Sequence, residues 1–527
     1  MDVFAGGVSE SDTMFSALTK IIDDILGDDG APVELRHRVL QLALVFMCGV
    51  NQLSPGAYFL RRDIYPSITS VILSPKTEVF TFEATLLLSL LSNFHKSDAA
   101  RTNPYLNRIK QSNDEKLMER ISRVAAFAAH KAAVTYQAIL DDSPPTLVTS
   151  LSSIMTAALR PDRALSTTPS DSPRELFKNQ PIEAAVVLLP VYDLLHYNQV
   201  FRNIFKVSLV PPSTDSQVMT QFNTSLPHAV LSLSSYILTH ASSTSSPRTL
   251  AYSHLTLTLL LVWVEDGDII SALCQLPQPG SPAIRLCRQR PPYLPFSASP
   301  RPPVCDLLDC CVLWLRHNLH KRLEVSSYLT CVRILHRLMW FASTERIRLV
   351  YHWEELWHSL ISVLNFAASQ IGTLKSVAKV DELVQEIIVL LDFATRYAER
   401  FLPTPQALHQ MVYELVRSAP TFTKQNALLK SLRLPTTRRN SSSSRGGMEL
   451  ASLEQMTRYY QQKLSESNTQ TAKTVLKVLS QLVDQEGIHG VAAEQSLEEL
   501  PHCYSDDIVD YSFVRWACAD GLALLEA

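Results

Sequence analysis

Glycine is scarce in this chain, with 14 in 527 positions, too few for a fold built on many glycine turns or phosphate-cradling loops. A dominant charge is missing too. The 48 Lys plus Arg stand against 51 Asp plus Glu, a net charge of -3 that gives no electrostatic reason to expect a nucleic acid along the surface. No apolar run approaches the ~20 residues of a bilayer helix. The strongest, LTLTLLLVWV from Leu255 to Val264, ends against Glu265 and Asp266 and reads as a buried helix. The opening MDVFAGGVSESDTMF has no basic region ahead of an apolar core, so it does not read as a usual secretory signal. The nine cysteines are an odd number without a disulfide-like cadence and read as reduced thiols in a cytosolic protein.

Enzyme signatures are missing as well. The chain has no P-loop, no GxGxxG fingerprint and no GxSxG nucleophile elbow. The paired acids Asp23–Asp24, Asp28–Asp29 and Asp506–Asp507 lack the alternating oxygen donors of an EF-hand and read as solvated or helix-end residues.

What is present is leucine, with apolar residues recurring at spacings of three and four, in a chain that is 46% hydrophobic and 19% charged. The pattern predicts helices near 12–27, 33–50, 57–72, 78–94, 113–142, 145–160, 182–207, 226–240 and 249–275. A second set follows near 304–321, 326–342, 353–369, 377–402, 405–418, 421–433, 450–485 and 508–525. Each keeps an apolar face that needs a neighbour, so the expected fold is all-α, an armadillo/HEAT-like helical superhelix with long Pro-rich and basic-Ser loops. The expected organisation is an amino-terminal helical repeat region at 1–275, a Pro-rich basic loop at 276–303, a helical region at 304–435, a basic Ser-rich linker at 436–447 and a carboxy-terminal helical region at 448–527.

Three stretches invite a chemical reading. CDLLDCCVLWLRHNLHKRL, Cys305 to Leu323, holds three cysteines and two histidines. Leu308, Val312, Leu315, Leu319 and Leu323 form one helical stripe, with Cys305 and Cys311 at its margins and Cys310 and His317 toward the opposite face. Seven residues of helix separate Cys310 from His317 by about 10 Å along the axis, too far to grip one zinc directly. Packing is the preferred role, ahead of metal binding or thiol chemistry. YHWEELWHSLISVLNF, Tyr351 to Phe366, does not have the HExxH spacing; Trp353, Trp357, Ile361 and Leu364 make a stripe suited to packing. In LPTTRRNSSSSRGGME, Arg438 and Arg439 precede Ser441 and Ser442, as in substrates of basophilic kinases. Phosphorylation there would add about -1.5 to -2 charges per site.

Nine prolines fall in 277–303, together with Arg285, Arg288, Arg290 and Arg301. The expected form is an extended or disordered loop whose arginines offer a weak basic surface to anionic lipids, while its prolines oppose an amphipathic membrane helix.

The segments NPYLNRI at 103–109, RIRLVYHWEELWHSLISVLNF at 346–366 and FLPTPQALHQMVYELVR at 401–417, with the Pro-Pro-Val-Cys-x-Leu-Leu-Asp segment from Pro302, closely resemble the armadillo-like helical domain-containing protein 3 family. The similarity covers approximately 35–435, and the chain begins inside the longer amino-terminal helical region of animal members. The resemblance implies a non-enzymatic adaptor without cofactor, in the cytoplasm and peripherally or indirectly on Golgi or early secretory membranes. The implied partners are a phosphatidylinositol 4-kinase beta-like protein and a large Golgi Arf guanine-nucleotide exchange factor, in support of phosphatidylinositol 4-phosphate and secretion. Family position points to 269–276 as one contact edge, with Ile269, Ala272, Leu273 and Cys274 as candidates. Where animal members carry Phe-Leu-His, this chain has Ala272-Leu273-Cys274. The alternative function is a general helical-repeat interaction scaffold in trafficking or transport, without direct lipid-kinase binding.

Overall fold

The computed structural model describes residues 8–48, 56–94, 103–141, 175–209, 225–244, 246–277, 284–296, 300–320, 323–374, 377–432, 445–467, 471–490, 500 and 511–526. Among them every regular element is a helix and no strand occurs. The first half runs α1 (Val8–Gly27), α2 (Val33–Cys48), α3 (Gly56–Arg61), α4 (Tyr65–Leu73), α5 (Thr81–Ser92), α6 (Pro104–Gln111), α7 (Glu115–Ile139), α8 (Leu188–Tyr197), α9 (Gln199–Leu209), α10 (Leu226–His240), α11 (Pro247–Glu265) and α12 (Gly267–Leu273). The second runs α13 (Pro303–His317), α14 (Val325–Thr344), α15 (Trp353–Ser369), α16 (Ile371–Leu374), α17 (Val380–Phe401), α18 (Pro405–Arg417), α19 (Ala419–Leu432), α20 (Arg445–Glu466), α21 (Ala472–Glu486) and α22 (Tyr511–Glu526).

The packing order makes this an armadillo/HEAT-like solenoid. One layer runs α5, α8, α11, α14, α17, α20, each helix against the next; the other runs α7, α10, α13, α15, α18, α21. Cross-layer contacts such as α10 on α11 and α13 on α14 tie the layers together. A single core follows the stack, because each helix has neighbours ahead, behind and across. Central helices are therefore buried on nearly every side. In α11 the run Leu255 to Val264 is buried throughout, as suits a helix that is apolar all round. No helix among the described residues is long and apolar enough to cross a membrane.

Several helices are shorter than their periodicity predicts, and side chains explain the breaks. The stretch 57–72 divides into α3 and α4 because Pro66 sits at the start of α4. The Tyr105 hydroxyl fills that joint. It lies 2.5 Å from the Phe59 carbonyl and 2.9 Å from that of Arg62, and accepts the Ile64 N–H. The stretch 249–275 divides at Asp266, whose carboxylate accepts the Asp268 and Ile269 N–H groups and starts α12. At 182–207 the chain begins as a 3-10 helix, Ile182–Val187, and breaks again at Asn198. Asn198 Oδ1 accepts the Phe201 N–H, while its Nδ2 donates to the Ile109 and Ser112 carbonyls. The helix expected over 450–485 is two, α20 and α21, the second opened by a capping box at Thr471. Helix α6, absent from the periodicity reading, is nucleated by Asn103, which caps Tyr105 and Leu106, with Pro104 at the first turn. The helix expected at 145–160 lies outside the described residues.

The last helix returns to the first ones. Helix α22 packs on α2, α5, α11 and the 182–187 turn. Its buried Asp520 accepts the Tyr252 hydroxyl at 2.5 Å and pairs with Arg248. At Gly521 an added Cβ would lie 2.8 Å from Leu86 Cδ2, so this helix approaches α5 more closely than a side chain would allow without a shift.

Candidate partner-binding site

Helix α12 is a short element between α9, α11 and α13. Asp266 caps it, Asp268 pairs with Lys206 at 2.8 Å, and Arg202 reaches Asp266 at 3.6 Å. Of the four candidates, Ile269, Ala272 and Leu273 point into the core, and Cys274 is half-buried, its thiol pushed up to about 12 by burial. They shape the edge from beneath. The outward face is Gly267, Asp268, Ser271, Gln275 and Leu276, the last 63% exposed.

The edge leads into the Pro-rich segment, whose described part, 284–296, lies along the solenoid as non-helical chain with a bend at 289–292. The Arg285 and Cys287 N–H groups donate to Ser232 Oγ and Ser235 Oγ, at 3.1 and 2.9 Å, on the surface of α10. These are alternate residues of an extended chain matched to hydroxyls one helical turn apart. The Gln289 side-chain N–H donates to the Tyr136 and Leu140 carbonyls at the end of α7. Cys287, Gln289 and Leu294 are buried.

This placement corrects the picture of four arginines forming a basic surface. Arg290 turns inward onto the Thr239 carbonyl and Ser242 Oγ at the end of α10, and Arg288 donates to the Leu294 carbonyl. Arg301 is held 2.5 Å from both Asp306 Oδ1 and Asp309 Oδ2. Of the four, Arg285 is exposed and the other three are half-buried. Arg288 is engaged from its own loop, Arg301 from the first turns of the next helix, and Arg290 from the distant end of α10.

The Arg301 clamp concentrates charge at the start of α13. Two buried carboxylates share one guanidinium, and the Tyr351 hydroxyl donates to Asp309 Oδ1 at 2.9 Å. Burial outweighs the arginine and pushes Asp306 up to about 7; Asp309 is raised for the same reason. The clamp ties the Pro-rich segment to α13 and, through Tyr351, to the approach to α15.

The cysteine-rich helix also needs correction. Cys305, Cys310 and Cys311 are all fully buried, and His317 is buried too. Helix α13 has no opposite, solvent face, because α10, α12, α14 and α15 surround it. Desolvation raises the Cys305 and Cys310 thiols, the neighbouring Cys331 thiol and then burial raise Cys311, and burial lowers His317 to about 3. Among the described residues no group of three or more His, Cys, Asp or Glu is arranged to hold a metal ion. Trp353, Trp357, Ile361 and Leu364 are buried as the stripe requires, with Trp353 stacked 5.7 Å from Trp357 and edge-on to Phe401 at 5.1 Å. The acid pairs within the described residues serve joints. Asp23 meets Arg62 and Ser67, Asp29 meets Arg36, and Asp28 accepts the Gly30 N–H. Asp506, Asp507, Ser441 and Ser442 lie outside the described residues.

One pair escaped the sequence reading. Cys287 Sγ lies 3.6 Å from His240 Nε2, in the manner of a thiol and its base. The same Nε2 faces Gln289 Oε1 at 3.1 Å, the ring stacks on Phe177 at 3.5 Å, and burial lowers His240 to about 3. A neutral, occupied imidazole cannot generate the thiolate that such a nucleophile needs. The pair is a packing joint.

The motifs quoted for the family resemblance are also joints. NPYLNRI supplies the Asn103 cap and the Tyr105 bridge. In RIRLVYHWEELWHSL, the Leu349 N–H reaches the Phe401 carbonyl at 3.2 Å, Trp353 Nε1 donates to the Leu349 carbonyl, and Glu355 pairs with Arg316. In FLPTPQALHQ, Thr404 caps α18 and His409 meets Asp484 at 2.8 Å.

Residues 301–487 match the family described as armadillo-like helical domain-containing protein 3, C-terminal. The chain is 25% identical over 434 residues to the "UPF0588 membrane protein" of Schizosaccharomyces pombe, an overlap covering 81% of this chain and 67% of that protein. It is 22% identical to the armadillo-like helical domain-containing protein 3 of Danio rerio, over 79% of this chain and 63% of the relative. For the Homo sapiens protein the identity is 22%, over 82% and 65%. The chain thus spans just under two thirds of the animal relatives' length. No solved structure matches it.

Proposed function

We propose that this chain, which belongs to the armadillo-like helical domain-containing protein 3 family and carries that family's C-terminal domain at 301–487, is a non-enzymatic adaptor at Golgi or early secretory membranes. In this reading it binds an extended segment of a phosphatidylinositol 4-kinase beta-like protein and raises the kinase's concentration near its lipid, in support of phosphatidylinositol 4-phosphate-dependent secretion. A large Golgi Arf guanine-nucleotide exchange factor is the second partner. Membrane association is peripheral or indirect, and the name of the fission-yeast relative, a membrane protein, supports an association with membranes.

The observation that carries the adaptor reading is that the solenoid already holds one non-helical stretch of chain on its helices, its own residues 284–288. It does so with helix-surface hydroxyls aimed at backbone N–H groups. A stack of helices offers such surfaces repeatedly, and an extended partner is read through its backbone without bond-making chemistry. The open edge beside this segment is the outward face of α12 and Leu276.

Deleting 269–303 would also remove the buried Cys287, Gln289 and Leu294 and the Arg301 clamp, so surface changes are the better test. Affinity isolation from cells should recover the kinase with the unaltered chain and lose it with Leu276→Glu, while circular dichroism stays unchanged. Kinase recovery equal in both would remove the edge from the account. No kinase with either, but other trafficking proteins with both, would favour the general scaffold.

A further inference from the structure

Among the described residues the two most exposed aromatic rings belong to one short loop, Tyr293 at 54% and Phe296 at 62%. That loop is held in place. Leu294, between the rings, is buried, and its carbonyl accepts an Arg288 N–H at 2.8 Å, which closes the chain over 288–294. Just upstream, the bonds of Cys287 to Ser235 and of Gln289 to the Tyr136 and Leu140 carbonyls fasten it to α10 and α7. Two large apolar groups therefore stay in water on a fixed frame, and they lose little freedom when something covers them. Charge sorts the possible occupants. Residues 284–296 hold three arginines and no acidic residue. The Arg288 guanidinium lies 5.9 Å from the centre of the Tyr293 ring, and the carbonyl that it meets orients it without cancelling its charge. A ring with a cation at its base suits the boundary of an anionic bilayer, where the ring enters below the headgroups and the cation stays with the phosphates.

We propose that Tyr293 and Phe296 form a direct membrane-binding site, a two-ring wedge that enters the interface of an anionic bilayer with Arg288 at the level of the lipid phosphates. The proposal deepens the reading that the chain associates peripherally with membranes, and rests on it. It needs no spanning helix, and the described residues contain none. The rings supply the anchor, because three of the four arginines of the Pro-rich segment are half-buried and make no broad basic field. The cations add a share of the affinity that salt weakens. The wedge is also separate from the edge at Leu276. From that edge the segment passes Ser232, Ser235 and Thr239 of α10 in order before it reaches the rings, about 10 Å along the helix. One chain can thus meet a bilayer and a kinase segment on different surfaces.

The test is flotation of the purified full chain with vesicles of phosphatidylcholine containing about 30% phosphatidylserine. The unaltered chain should float with these vesicles, and about tenfold less with phosphatidylcholine alone. A double variant, Tyr293→Ser with Phe296→Ser, should partition at least about tenfold more weakly, with circular dichroism and melting temperature unchanged and kinase recovery retained. Equal flotation of the two proteins would overturn the proposal. So would a double variant that floats normally but loses the kinase, which would make the rings a protein contact. Sedimenting membranes from cells tests the underlying reading separately. A chain found with cell membranes yet absent from the vesicles keeps peripheral association and overturns the wedge, whereas a chain absent from both overturns the two together.

Discussion

Replacing Asp306 by asparagine should stabilise the protein at alkaline pH and do progressively less as the pH falls. In the Arg301 clamp two buried carboxylates answer to one guanidinium, and burial raises Asp306 from 3.8 to about 7. A carboxyl whose folded pKa is raised binds more protons in the folded state than in the unfolded one. Its contribution is therefore fully present below the unfolded pKa and is lost as the pH climbs through the folded pKa. Three units at 1.36 kcal/mol each give a ceiling of about 4 kcal/mol, and roughly 3 of these fall between pH 5 and 8. Asparagine keeps the shape, leaves Arg301 opposite Asp309 alone and carries no titration. The assay is urea unfolding of the two proteins side by side at pH 5, 6, 7 and 8. The difference at each pH cancels groups remote from the clamp, including His240 and His317, whose lowered values act with the opposite slope. The variant's midpoint should gain on the unaltered chain as pH rises, with equal steepness. A difference flat in pH, or one that shrinks toward pH 8, would refute the charge imbalance.

Tyr105→Phe removes the hydroxyl that bridges Phe59, Arg62 and Ile64, and should cost about 1–3 kcal/mol, with hydrogen exchange accelerated first between 59 and 68. Trp357→Ala, in the fully buried stripe of α15, should cost about 3–5 kcal/mol by thermal unfolding while leaving the α1–α4 region's exchange unchanged. His240→Gln replaces a ring that burial keeps neutral to about pH 3. It should flatten the part of the stability curve that rises between about pH 3 and 6.5 in acid unfolding.

The helical class was legible because α13, α15 and α17 each carry spacings of three and four that only a helix turns to one side. The buried Trp353, Trp357, Ile361 and Leu364 are the residues the period selects. Breaks were less legible. Asp266, Asn198 and Thr471 interrupt apolar patterns that continue on either side, and a cap competes with periodicity only when its own hydrogen bonds are seen. The signal for α6, Asn103 followed by Pro104, was in the sequence, inside the very motif quoted for resemblance. The engagement of Arg290 and Arg301 was partly legible. Asp306 and Asp309, five and eight residues beyond Arg301, lie on one face of a helix, whereas the Thr239 carbonyl that takes Arg290 comes from another repeat. Contacts between segments distant in the chain, such as Ser232 with Arg285 or Tyr252 with Asp520, leave no local trace.

The central claim is that the exterior of this solenoid captures a lipid kinase at the edge formed by α12 and Leu276. Crosslinking mass spectrometry on the purified chain mixed with purified phosphatidylinositol 4-kinase beta tests it most directly. The expected result is crosslinks from Lys206 and Asp268, which flank that edge, to one extended segment of the kinase, lost in Leu276→Glu. A mixture that forms no complex, or crosslinks confined to a remote face and unchanged by the substitution, would contradict it.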